Sequence, residues 1–202
     1  LDELRALIAA AEAGEADRLM TGPARALCYR LAVATGLRYS ELRSTTPESF
    51  ALDGPRPTVT VRAAYTKNGE PAPLFLPAPL AADLRAHLAG IAPGELAFPP
   101  PDKGADMLRS DLEAAGIPYR DAGGLVFDFH ALRCQCATLA DAAGVSPRVV
   151  QRLMRHSSLE LTGRYTRPRT DDLSAACAGL PDLAAPDAGR ATAGAAGGDL
   201  EG

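Results

Sequence analysis

The stretch TVTVRAAY, residues 58–65, limits the fold of this chain more narrowly than any other. Its residues alternate and several are β-branched, as in a half-buried strand. TKNGEP follows, and Asn68-Gly69 suits the two positive-φ positions of a type I′ turn. APLFLP, 72–77, then reads as the antiparallel return strand. Residues 50–53 are placed to add a third strand. The remaining apolar residues recur mainly at helical spacing. A chain with a single hairpin signal among helices must be mostly α with a small antiparallel β-sheet, an α+β domain.

The helices are punctuated by their own sequence. Residues 2–13 place Leu4, Leu7, Ile8 and Ala11 on one face, and Gly14 stops them. Thr21 and Pro23 open a second helix that ends at Gly36. A short helix capped by Ser40 is expected next, then helices over 79–89 and 105–115. Asp128 caps a helix expected over 129–143 and closed by Gly144. Ser146-Pro147 opens another over 147–155. Ser157 or Ser158 caps a short helix carrying Tyr165, and a last helix covers 171–179.

At 202 residues the chain fits one domain with a tail. Twelve of the last 19 residues, from 184 on, are Ala or Gly, a composition that cannot bury a core, so 181–202 is expected to be disordered. No run of 18 apolar residues exists, which excludes a membrane-spanning helix and any membrane partner through one. LDELRALIAAAEAG has no basic n-region and is not a signal peptide. Cys28, Cys134, Cys136 and Cys177 form no CxxC pair, which suits a reduced, cytoplasmic protein. His130 and Cys134 are too few to argue a zinc site, so no metal and no cofactor is expected.

Net charge is −4, but it is unevenly spread. From 171 onward six acids face one base, and the rest of the chain carries 20 bases and 19 acids. Within 130–170, seven arginines stand against Asp141 and Glu160. The plain reading is a solvated helical face. Arginine without lysine also suits phosphate, because the guanidinium fork matches phosphate oxygens.

Six residues are candidates for chemistry. His130 and Arg133 are three apart on one helix and share a face. His156 ends the next helix, and Tyr165 follows across a turn. Arg38 comes just after a helix-terminating glycine, and Lys67 stands at the hairpin tip. Singly each has an ordinary reading: a structural histidine, a polar turn, a helix-end charge, a packing ring. Jointly they form a set for phosphoryl transfer by side chains alone. Fixed cations lower the barrier to phosphodiester cleavage by balancing charge on non-bridging oxygens. A phenol needs a base and a positive field to attack, and a sugar alkoxide needs a proton donor to leave.

TGLRYSEL, YTKNGEPAPLFLP and FHALRCQCATLADAAGVSPRVVQRLMRHSSLELTGRYTR resemble the catalytic domain of the tyrosine recombinases, the phage integrase type that includes XerC and XerD. The resemblance covers about 1–180, in order. It implies the fold of that DNA breaking-rejoining domain, and double-stranded DNA as partner. It implies that Arg38 and Arg133 clamp the scissile phosphate and that Lys67 is the general acid to the 5′ oxygen. His130 would take the tyrosine proton, His156 would bond a non-bridging oxygen, and Tyr165 would attack phosphorus to form a 3′-phosphotyrosyl bond. It further implies a homo-oligomer, tetrameric in the DNA synapse and monomeric alone, acting at the nucleoid of a bacterium or on phage-type DNA. The family's N-terminal DNA-clamping helical domain has no counterpart in these 202 residues.

Cys134, Gln135 and Cys136 depart from the His, Thr and Phe common in the family after the H-x-L-R arginine. None is among the six positions. Three other readings compete. A type IB topoisomerase shares the chemistry, but such enzymes usually carry lysine where this chain has His130. A non-catalytic DNA-binding protein on the same fold has no physical need of all six residues. A plain helical interaction domain leaves the arginines unexplained.

Overall fold

Helix α2 (Gly22–Thr35) is the centre of the molecule. Thr21 accepts a hydrogen bond from the Ala24 N–H at 3.3 Å, Pro23 fits the first turn, and Gly36 closes the helix with φ 60°. Between these caps Ala26, Leu27, Cys28, Tyr29, Leu31 and Ala32 are all buried. A helix apolar on nearly every side must be covered on nearly every side. The neighbours that cover it include α1 (Asp2–Ala13), α4 (Ala78–Leu88) and α6 (Phe129–Ala142). The computed structural model describes residues 1–16, 20–61, 72–99, 104–156 and 158–163. These lie within one compact unit, Leu1–Thr166.

Helix α1 buries Leu4, Leu7 and Ala11, as its spacing predicts, with Ile8 half-buried. Gly14 ends it for an unexpected reason. Its backbone is extended, φ −70°, which any residue adopts. A Cβ there would lie 2.6 Å from Nη2 of Arg25, so glycine leaves room for that side chain. Arg25 is 3% exposed and grips Asp111 of α5 (Gly104–Ala114) with two hydrogen bonds of 3.0 Å. The Tyr29 hydroxyl donates to the same carboxylate at 2.7 Å, and Arg25 also donates to the Glu15 carbonyl at 2.7 Å. Each buried charge thus has partners, as burial requires.

The sheet is three-stranded and antiparallel, in the order β1 (Phe50–Ala51), β2 (Thr58–Val61), β3 (Ala72–Phe75). Val59 and Val61 point into the core and Thr58 and Thr60 do not, the alternation expected. The third strand over 50–53 is present as a two-residue pairing, Phe50 with Val59 and Ala51 with Thr58. The hairpin tip with Asn68-Gly69 lies outside the described residues.

Ser40 does not cap the short helix α3 (Tyr39–Arg43). Arg38 holds that position, and Glu41 in the first turn accepts its N–H. In R-Y-S-E it is the acid three residues past the cap, not the serine, that satisfies the free N–H. Asp128 does cap α6, accepting from the Ala131 N–H at 2.9 Å. Helix α7 (Pro147–Met154) packs Val150 and Met154 against Cys136 and Ala137 of α6. Helix α8 (Leu159–Gly163) follows. The expected helix 171–179, the domain boundary near 180 and the tail 181–202 lie outside the described residues. Among the described residues no helix is long and apolar enough to cross a membrane.

Candidate active site

Three segments of the chain meet at one guanidinium. Arg133 lies on α6, 3% exposed. Its Nη1 donates to the carbonyl of Gly36, just past α2, and its Nη2 to the carbonyl of Met154, the last residue of α7. Carbonyls at helix C-termini lack intrahelical donors and sit at the negative end of the helix dipole, so a buried cation is well placed between two of them. Burial, then the nearby charges of Arg38 and Arg155, pushes the Arg133 guanidinium down to about 10, so it stays charged at neutral pH.

Each of those helix ends carries a further candidate. The left-handed Gly36 turns the chain, and Arg38 follows two residues on. Its backbone N–H donates to Glu41 Oε2 at 2.7 Å and its Nη1 to Glu41 Oε1 at 2.9 Å. The Arg38 side chain remains 42% exposed, while that of Glu41 has no exposed surface. At the end of α7, Arg155 adopts φ 52° and ψ 41°. Its Nη2 reaches Glu41 Oε2 at 2.5 Å. His156 then donates its backbone N–H to the Gln151 carbonyl at 3.0 Å, and its ring Nδ1 lies 3.1 Å from Oγ1 of the buried Thr162 on α8. Burial and the charges of Arg133, Arg38, His130 and Arg155 hold the His156 imidazole below its usual value. His130 stands one turn before Arg133 on α6, exposed to solvent.

The structure therefore gathers Arg38, Arg133 and His156 at one place, with His130 in electrostatic reach. Lys67 and Tyr165 lie outside the described residues. Arg38 and Arg155 both bond Glu41, and Arg133 feels its charge, so three guanidinium groups beside one carboxylate leave an excess of positive charge that an anion would balance. Among the described residues no group of three or more His, Cys, Asp or Glu side chains is arranged to hold a metal ion.

Glu41, Arg155 and Thr162 were not singled out by sequence reasoning. Glu41 had a signal, an acid at the third helical position after Arg38. Arg155 had none that separates it from Arg148 and Arg152, its exposed neighbours on α7. Thr162 is one threonine in a short helix, and only the fold brings it to His156.

A helical scaffold with one small sheet carries convergent arginines beside a histidine. The sequence model of the phage integrase family matches residues 1–171, and the chain belongs to that family. Solved structures agree on the fold. XerH site-specific recombinase bound to its difH substrate, in a post-cleavage complex, superimposes with a TM-score of 0.64 at 21% identity over 88% of this chain. XerA recombinase gives 0.62 at 19% identity over 88% of this chain and 61% of its own. The catalytic domain of bacteriophage HP1 integrase gives 0.64 at 22% identity, covering 89% of this chain and 92% of its own. The chain spans about half the length of XerH, 51%. It has the fold of a tyrosine recombinase catalytic domain. No functionally curated protein matches its sequence.

Proposed function

We propose that this chain is the catalytic domain of a site-specific DNA recombinase or integrase that cuts and rejoins strands through a 3′-phosphotyrosyl bond. The observation that carries the reading is the cluster of Arg38, Arg133 and His156 around an uncompensated positive field, in a member of the phage integrase family. Structures of the same fold are solved in complex with DNA, which supports double-stranded DNA as the partner proposed here.

In this reading Tyr165 Oη attacks the scissile phosphorus and gives its proton to His130. The P–O5′ bond breaks, and Lys67 protonates the departing 5′ oxygen. Negative charge that builds on the non-bridging oxygens is met by Arg38, Arg133 and His156. A neutral His156 donates one hydrogen bond there without adding a like charge to the arginines. The bond to Tyr165 keeps the phosphodiester energy, so a free 5′ hydroxyl reverses the step. Residues 1–180 form the acting domain, 181–202 a tail, and four copies assemble on the DNA synapse. His130 favours a recombinase over a type IB topoisomerase.

The test is a pool of nicked suicide duplexes incubated with the protein in EDTA. A DNA–protein adduct on a denaturing gel is expected from wild type and not from Tyr165→Phe, while non-covalent binding persists in both. An adduct of full strength from the Phe variant removes Tyr165 from the role of nucleophile.

A further inference from the structure

Arg155 stands in a conformation that its side chain disfavours. Among the described residues it is the only non-glycine with positive φ, 52°, while six glycines take that region elsewhere. Left-handed backbone suits glycine, because a Cβ crowds the following carbonyl. Its guanidinium also departs from that of its neighbours. Arg148 and Arg152 are exposed, whereas the Arg155 side chain is 14% exposed and turned inward. There Nη2 bonds Glu41 Oε2 at 2.5 Å and lies 3.5 Å from the Gly36 carbonyl. Nε and Nη1 are buried and have no hydrogen-bond partner among the described residues. Backbone strain and unpaired buried donors are both unfavourable, and such features persist where the surroundings impose them, often at functional sites.

What the arrangement achieves is visible at Glu41. This carboxylate is fully buried, and its other partner, Arg38, is 42% exposed. A buried carboxylate held only by a half-exposed arginine is weakly compensated. Arg155 supplies the buried counter-charge and occupies Oε2, so that Oε1 is left facing Arg38 Nη1. The same turn sets Met154 against Arg133 and leads into His156. One residue thereby ties the α7 end to the cap of α3. We propose that Arg155 is a positioning residue of the strand-cleavage site: it fixes Glu41, and through Glu41 the guanidinium of Arg38, without itself binding DNA. Its Nε and Nη1 are buried away from solvent. The catalytic half of this inference rests on the proposed function.

The full chain is compared with Arg155→Gly, which removes the side chain and relaxes the backbone, and with Arg155→Lys, which keeps the charge but loses the fork. The first readout needs no activity. Nitrogen-15 spectra report whether the Arg38 guanidinium, assigned with Arg38→Lys, rotates slowly. Wild type should show resolved, restricted Nη signals that average out in the Gly variant and partly return in the Lys variant. The second readout is the rate of adduct formation on the nicked duplex pool at saturating protein. A guanidinium displaced by about 1 Å should cost about a hundredfold in rate, with DNA affinity and its salt slope unchanged. Glu41→Gln should make Arg155→Gly nearly silent.

An unchanged Arg38 signal overturns the proposal. So does a smaller salt slope, which would make Arg155 a phosphate ligand. A rate loss that follows a fall in melting temperature, and disappears on cooling, reduces Arg155 to a structural residue and overturns it too. If wild type gives no Tyr165-dependent adduct, the proposed function fails, and the Arg38 spectra still decide whether Arg155 holds Arg38.

Discussion

His156 illustrates how a single residue reports its surroundings. Its imidazole is held below the usual value first by burial, then by Arg133, Arg38, His130 and Arg155. The unfolded chain takes up this proton near the ordinary value of 6.5, and the folded chain resists it. Stability from this group is therefore intact above about 6.5 and is lost as pH falls through that value, until the folded imidazole also protonates. Urea unfolding of wild type and His156→Gln between pH 7.5 and 5.5 should show wild type losing stability more steeply with acid. Parallel curves would mean that neither burial nor the nearby charges hold the ring below its usual value. The imidazole itself was legible in the sequence, as were Arg38, His130 and Arg133, because motif order marks them. Glu41 was half legible, since an acid at the third helical position is a known capping residue. Arg155 was not, because the direction of its side chain follows from a left-handed turn that no neighbouring glycine announces.

At the scale of the element, helix ends do the positioning. Arg133 joins the carbonyl just past α2 to the last carbonyl of α7, so the two segments that carry Arg38 and His156 are set by how those helices stop. Gly36 is the sharpest stop. It sits at φ 60°, and a Cβ there would lie 2.9 Å from Met154 Sδ. Gly36→Ala should destabilise the fold by about 1–3 kcal/mol through backbone strain and crowding, measured by denaturant unfolding. It should also slow adduct formation out of proportion, because the displaced carbonyl is the one Arg133 holds. Gly144→Ala is the control. Its φ of 75° imposes similar strain, but among the described residues nothing beyond its immediate chain neighbours lies within 4 Å of the added Cβ. It should cost stability and leave the cleavage rate of the folded protein alone. Equal rate losses in both variants would sink the idea that Gly36 acts on the site. The caps Thr21, Gly36 and Asp128 were legible because each satisfies orphan groups by a local rule. Ser40 misled because serine caps are common, and local rules rank two nearby candidates poorly.

At the scale of the whole molecule, the fold class was legible because the strand signal in the sequence is concentrated in one hairpin and the short segment that pairs beside it. The core was less so. Arg25 and Asp111 are 86 residues apart, and nothing in either segment marks them as a pair, or Gly14 as the space they need. Charge belongs to this scale as well. The protein carries −4 overall, yet 130–170 is strongly basic, and Arg148 and Arg152 stand exposed on α7 while Arg133 and Arg155 turn inward. This division separates two jobs that a count of arginines merges. Exposed cations displace counterions from a duplex, and each phosphate they neutralise adds about 0.9 to the slope of log affinity against log salt. Arg155, turned inward onto Glu41, displaces none. Arg148→Ala and Arg152→Ala should each lower that slope by about one, measured by fluorescence anisotropy with a labelled duplex from 50 to about 200 mM salt. Arg155→Gly should leave it alone. If all three variants keep the wild-type slope, the stripe on α7 is a solvated helical face, and DNA is held elsewhere on the molecule.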